Sequence, residues 1–232
     1  MISVIIPVYH EQGVIGKTVR YLTSVDNNEL LSEIIVVDGG SLDDSVNEAK
    51  KEGAIIISST RKGRAAQMNE GARIAKGSIL DFLHADSFPP GSFVSDIIEA
   101  VGKGFSMGCY RLRFDIGHWF LKANTWFTRF DVNAFRYGDQ SLFVSRECFN
   151  TVGGFCEKHI VFEDYEIIKR LRKQGKFIVI PKEVTTSARK YVTNGVFRMQ
   201  SIFYLIYFMY HLGYSQQRLV EVFRKLVRQD KI

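Results

Sequence analysis

Four short polar stretches carry the groups that could do chemistry in this chain: "PVYHE" (7–11), "VVDGGS" (36–41), "STRKGR" (59–64) and "FLHADS" (82–87), each closing an apolar run. In the last of these a histidine, His84, and a carboxylate, Asp86, stand two residues apart. Asp86 is a hard oxygen donor suited to Mg2+ or Mn2+, and a divalent ion bridging two phosphates would help a diphosphate depart. Shortly before Pro89 and Pro90, the same residues are also ordinary turn chemistry. Asp38, followed by Gly39 and Gly40, can accept hydrogen bonds from a nucleobase or ribose, or can form an Asx turn. Arg61, Lys62 and Arg64 precede a helical segment and offer a diphosphate positive charge plus a helix N-terminus, unless they are simply a solvated loop. Glu163 and Asp164 open another helical segment. Acids there suit the macrodipole for structural reasons, and an ionised one can serve as a general base.

Such groups act together only if the elements bring the loops to one place. Short β-branched runs at 3–8, 33–38, 54–58 and 78–86 read as buried strands. Helical segments lie between them: 11 to about 25, 41–53 with Ser41 and Asp44 in the N-cap and N3 relation and Gly53 at its end, and 64–77. The alternation predicts an α/β fold with a doubly wound, mostly parallel central sheet and helices on both faces. Ligands of such sheets bind beyond the carboxyl ends of the strands, where the four polar stretches fall. No G-x-G-x-x-G turn follows the first strand, which argues against a dinucleotide-binding domain.

Further on, 108–114 and 139–149 read as strands of a mixed sheet around an aromatic helical stretch at 118–130. A helix from Glu163 to Gly175 and a last strand, "KFIVIP", follow. Asp81, inside an apolar strand, calls for a partner among the basic side chains. The aromatic segment 196–213 and the basic amphipathic segment after it predict two C-terminal helices. The apolar core of the first is shorter than the ~20 residues of a spanning helix. A helix buried on the domain or in a homodimer interface is preferred over one lying at a membrane surface. The expected organisation is a domain over 1–190, its halves meeting near residue 100, with a helical appendage over 191–232.

Composition narrows the function classes. With 46% hydrophobic residues the chain can build one sizeable core, and 31 Lys+Arg against 25 Asp+Glu favours anionic partners. The aromatic residues are not interleaved with the basic ones as base-stacking platforms require, so no nucleic acid is expected. Three cysteines without C-x-x-C spacing suggest neither a disulfide framework nor a zinc cage. The N-terminal apolar run lacks a basic n-region and is too short for a signal peptide, so a cytoplasmic protein is expected, with a peripheral place at the inner membrane face as the alternative. A G-x-S-x-G elbow and a cysteine beside a histidine are both missing, which removes the parts for acyl transfer.

The motifs in order, "PVYHE", "VVDGGSLDDS", "KGRAAQMNEGARIAKG", "FLHAD", "GGF" and "FEDYEIIKRL", resemble a family 2 glycosyltransferase with the GT-A fold. The resemblance covers residues 2 to about 181 and is greatest to a small bacterial branch in which "FLHAD" and "TSAR" recur. It implies a nucleoside diphosphate sugar donor in the N-terminal half and a hydroxyl acceptor in the C-terminal half. Pro7, Tyr9 and Glu11 match the first-loop nucleotide contacts, Asp38 the base-binding aspartate, and Arg64 the arginine beside base or phosphate. "HAD" stands in the place of the metal-binding D-x-D, with Asp86 as metal ligand and His84 either a ligand to Mn2+ through a ring nitrogen or a hydrogen-bond partner of a phosphate or sugar hydroxyl. "FED" matches the segment of the catalytic base, placed on Asp164 with Glu163 beside it. Two departures stand out: "DGGS" replaces the usual "DDGS", and His84 replaces a carboxylate. A non-catalytic nucleotide-sugar-binding protein of the same fold is the alternative.

Overall fold

A computed structural model of the chain describes residues 1–26, 29–136 and 138–228. Among them the N-terminal half alternates as the apolar runs require: β1 (Ile2–Val8), α1 (Ile15–Ser24), β2 (Leu31–Asp38), α2 (Ser45–Lys51), β3 (Ile55–Ser58), α3 (Arg64–Ile74) and β4 (Ile79–Phe82). After it come β5 (Ser87–Phe88), α4 (Phe93–Gly102), β6 (Met107–Phe114), α5 (Trp119–Trp126), β7 (Leu142–Ser145) and α6 (Arg146–Thr151). The chain then forms α7 (Glu163–Leu171), β8 (Phe177–Thr186), α8 (Arg189–Asn194), α9 (Val196–His211) and α10 (Gln216–Leu226). The strands form one sheet in the order β3-β2-β1-β4-β7-β6-β8-β5. Pairings within the first half are parallel, and β7 runs antiparallel between β4 and β6.

The period of two along β1 sorts its side chains onto two cores. Val4, Ile6 and Val8 pack with α1, α2 and α4 on one face, while Ile5 packs with α3, α6 and α7 on the other. A third cluster joins α8, α9 and α10 to Leu121, Val161 and Ala188. The C-terminal helices therefore share a core with the segments that flank the reacting residues. Among the described residues no helix is long and apolar enough to cross a membrane.

Several boundaries differ from the sequence reading, each for a local reason. The first helix starts at Ile15, because residues 9–13 are a loop whose amides are taken by α2 and its approach: Ser41 and Ser45 hydroxyls accept from His10 and Glu11 N–H, and Glu48 accepts from Gly13 N–H. Ser41 therefore does not cap α2, which begins at Ser45 with Asp44 at the cap position. The fourth strand stops at Phe82, before His84. Of the strand expected at 139–149, only Leu142–Ser145 forms, since the Ser145 hydroxyl accepts from Cys148 N–H and starts α6. Helix α7 ends at Leu171, short of Gly175, while β8 runs past Pro181 to Thr186. Pairing steps from Tyr110–Ile180 to Arg111–Glu183, so Pro181 sits in a bulge that needs no donor. The amphipathic helix α4 was not anticipated. Asp81 finds a serine rather than a base: Ser141 Oγ donates to its Oδ1 at 2.7 Å while Oδ2 has no partner, and burial pushes its carboxyl up to about 6.

Candidate functional site

The strand ends of β1, β2 and β4 and the start of α7 surround one cavity of about 1660 Å3. Pro7, Tyr9, Glu11, Arg64, His84, Asp86, Glu163 and Asp164 all line it. Residues far apart in sequence are brought together because each follows a strand or opens a helix at the same edge of the sheet. Gly39 and Gly40 line the cavity but Asp38 does not. The Asp38 carboxylate turns back, accepting from Gly40 N–H at 3.0 Å and Ser41 N–H at 3.1 Å, so it shapes the Gly39–Gly40 turn. Gln67 of α3 pins the neighbouring strand ends by donating to Val8 O and Val37 O at 2.9 and 2.7 Å.

The reacting end is a cluster of charges. Arg64 Nε lies 2.8 Å from Glu163 Oε1, yet neither Glu163 oxygen has a directed hydrogen bond, so charge holds this pair of a buried carboxylate and a half-exposed guanidinium. Asp164, beside it, is pushed up to about 6 by burial and by the neighbouring Glu163 charge, against the pull of His84 and Arg64. Phe162, the residue before them, takes a left-handed backbone at φ 62, and its ring packs 4.9 Å from Tyr210 and 6.0 Å from Tyr207 of α9. A phenylalanine reaches that conformation at a cost, and it sits where two carboxylates are aimed into the cavity.

His84 is committed on both ring nitrogens. Its Nδ1 lies 2.5 Å from Asp139 Oδ1, and its Nε2 lies 3.3 Å from Arg64 Nη1. Arginine only donates, so this geometry assigns the proton to Nδ1 and leaves Nε2 as acceptor. Burial lowers the imidazole's proton affinity, but Asp139 outweighs it and the group is drawn above its ordinary value. Burial likewise opposes ionisation of Asp139, and the His84 contact overrides it, holding the carboxyl at about 2. Gly138 completes this corner: a Cβ there would clash with Asp164 Oδ2 and meet His84 Nε2 at 2.9 Å.

On the donor side Arg189 joins two loops. Its guanidinium donates to both Glu11 oxygens at 2.6 and 2.7 Å and lies 3.2 Å from Asp86 Oδ2. Burial and the Asp139 charge push the Asp86 carboxyl up, although Arg189 and His84 pull it down. Sequence reasoning missed Arg189, Asp139 and Gly138. The "TSAR" motif was the available signal for Arg189, but nothing in its spacing pointed to Glu11. Among the described residues no three His, Cys, Asp or Glu side chains are grouped to hold a metal ion. Asp86 therefore offers one hard oxygen anchor, which fits an ion whose other ligands come from phosphates and water.

The fold has counterparts among solved structures. The mannosyltransferase PcManGT from Pyrobaculum calidifontis, solved with GDP-Man and Mn2+, superposes with TM-score 0.70 at 18% identity, covering 96% of this chain and 68% of that one. Glucosyl-3-phosphoglycerate synthase from Mycobacterium tuberculosis, solved with Mg2+ and UDP, gives 0.60 at 18% identity over 81% and 69% of the two chains. The fold is thus that of the GT-A glycosyltransferases. Residues 3–162 match the model of Glycosyl transferase family 2, and the chain belongs to that family. Among curated proteins, glycosyltransferase AglE of Haloferax volcanii is 35% identical over 94 residues, 38% of this chain and 31% of the relative. The undecaprenyl-phosphate 4-deoxy-4-formamido-L-arabinose transferase of Aeromonas hydrophila is 26% identical over 131 residues, 53% of this chain and 40% of the relative. The chain thus spans less than half the length of either curated relative.

Proposed function

We propose that the chain transfers a sugar, with inversion, from a nucleoside diphosphate sugar to an acceptor hydroxyl. The observation that carries this reading is one cavity in which Arg64 and Arg189 stand with a buried carboxyl, Asp164, whose proton affinity is tuned to about 6. The nucleoside lies against Tyr9 and the Gly39–Gly40 turn, whose shape Asp38 maintains. Arg64 and Arg189 face the diphosphate. Asp164 takes the proton of the acceptor hydroxyl as its oxygen bonds the anomeric carbon, and the bond from that carbon to the diphosphate oxygen breaks, its electron pair leaving with the diphosphate. A carboxyl at about 6 is ionised near neutral pH and still basic enough to accept that proton. Glu163 balances Arg64 and keeps it in place, and the Asp139–His84 pair backs Arg64 on its other side.

Asp86 is the residue that would hold a divalent ion, and such an ion, when bound, would neutralise the departing diphosphate. The Arg189 guanidinium already lies against Asp86, so charge of the right sign reaches the same place from the protein itself. The PcManGT and synthase complexes make GDP and UDP the first nucleotides to try. The test is a thermal-shift screen of nucleoside diphosphates and their sugars with and without Mn2+, followed by donor turnover measured over hours. Stabilisation by at least one nucleotide and slow donor cleavage are expected. Binding without any turnover would leave a nucleotide-sugar-binding protein, and no binding would refute the reading.

A further inference from the structure

The cavity is larger than a donor and a reacting centre need. Single small-molecule sites occupy about 300–1,000 Å3, against about 1660 Å3 here. Past Asp164 the wall changes in character as the cavity runs beneath α9 and α10. Phe114, Tyr191, Phe203 and Phe223 line it as a chain of rings with centroids 5.0, 5.9 and 6.0 Å apart, drawn from β6, α8, α9 and α10. The buried polar pair in this wall is satisfied within it, since Tyr191 Oη donates to Gln200 Oε1 at 2.9 Å. Four separate elements converge to build an aromatic chamber directly continuous with the proposed base.

The chamber also has an apolar way in. Phe127 and Tyr204 line the cavity and yet are 45% and 53% exposed, so its lining continues onto the surface. There Phe127 meets Trp126 at 5.3 Å, and Trp126 meets Phe130 at 5.0 Å. Tyr204 Oη donates to Asn124 Oδ1 at 2.7 Å and braces α9 against α5 across this mouth. Gln217, Glu221, Arg224 and Lys225 of α10 also line the cavity but are exposed, so a sugar or other fully polar acceptor lodged among the four rings would leave hydroxyls unpaired there. An apolar body would bury surface there without that penalty.

We infer that the acceptor is an amphiphile, with its hydroxyl at Asp164 and an apolar body in the chamber formed by Phe114, Tyr191, Phe203 and Phe223. The inference rests on the transferase reading, because the hydroxyl must meet the base, but it is tested separately. Straight-chain alcohols from butanol to decanol, kept below the concentrations at which they aggregate, serve as probes in titration calorimetry with saturating nucleoside diphosphate. Affinity rises with chain length by up to about fourfold per methylene until the chamber is full. Phe203→Glu, which sets a carboxylate among the rings, abolishes that dependence, and Tyr207→Gln, on a half-exposed position, weakens it should the first variant fold poorly. Nucleotide-induced thermal shifts in the same samples report the donor site independently. Alcohol affinity that ignores chain length, or a dependence that survives in folded Phe203→Glu, overturns the inference even where nucleotide binds. Absence of nucleotide binding with the chain-length dependence intact overturns the transferase reading instead.

Discussion

Replacing Asp164 by asparagine should slow the protein and stabilise it at the same time. Raising a carboxyl from 3.8 to about 6 disfavours its ionised form by about 3 kcal/mol, at ~1.4 kcal/mol per tenfold change in proton affinity. The sign follows from linkage. Between 3.8 and about 6 the folded chain holds a proton that the unfolded chain has released, so stability falls as pH rises through that window. Above it the native state carries the whole penalty of a buried carboxylate. Asp164→Asn removes that penalty while keeping the size of the group, so urea unfolding near pH 7.5 should show a gain of about 1–3 kcal/mol that shrinks toward pH 4.5. Transfer, by contrast, should fall by about 10²–10⁴-fold, the usual contribution of a general base. In the wild type, turnover should lose its ionised base as pH drops through about 6. Nucleotide binding should hardly change. A variant that is less stable at neutral pH, or that turns over normally, would refute the assignment, and full inactivity of Glu163→Gln beside it would move the base to the neighbour.

Three further outcomes can be measured with the same tools. Gly138→Ala drives a methyl into Asp164 Oδ2 and His84 Nε2, so it should cost about 1–3 kcal/mol in the wild-type background and much less in Asp164→Ala, a coupling read by a double-mutant cycle. Arg189→Met should weaken nucleoside diphosphate binding about 10- to 150-fold, the span of a charge-assisted hydrogen bond, and calorimetry showing equal affinity would remove it from the phosphate site. Asp81→Asn relieves another carboxyl held at about 6, so by the same sign it should stabilise by about 1–3 kcal/mol at pH 7.5 but not at pH 4.5. Unchanged urea midpoints at both pH values would show that its unpaired oxygen is hydrated in solution.

What could be read from the sequence was what local pattern determines. The runs that became β1, β2 and β4 are largely buried, while the edge strand β3, expected to be buried, is partly exposed, with Ile55 at 42%; β-branched composition marked all four, and their carboxyl ends marked the site. Glu11, Arg64, His84, Asp86 and Asp164 converge for that reason. What could not be read depends on contacts across the chain. Arg189 meets Glu11 across 178 positions, and a guanidinium's partner leaves no trace in its own neighbourhood. Asp38 offered two readings, and the direction of its carboxylate, toward Gly40 and Ser41 N–H, supports the turn. Asp139 was hidden at the start of a segment read as a strand and Gly138 just before it, because a short strand, Leu142–Ser145, does not announce where its approach loop ends.

The left-handed turn at Phe162 constrains how this protein can diverge. Its backbone strain is held by the ring lodged against Tyr207 and Tyr210, and the two carboxylates that follow inherit their aim from it. Tyr207 also lines the cavity beneath α9. In a lineage adapting to a new acceptor, substitutions on α9 that reshape the cavity also loosen the brace behind Glu163 and Asp164. Acceptor range and turnover are therefore not free to drift apart, and a change at Tyr207 or Tyr210 that widens one is expected to need a second change near Phe162 to recover the other.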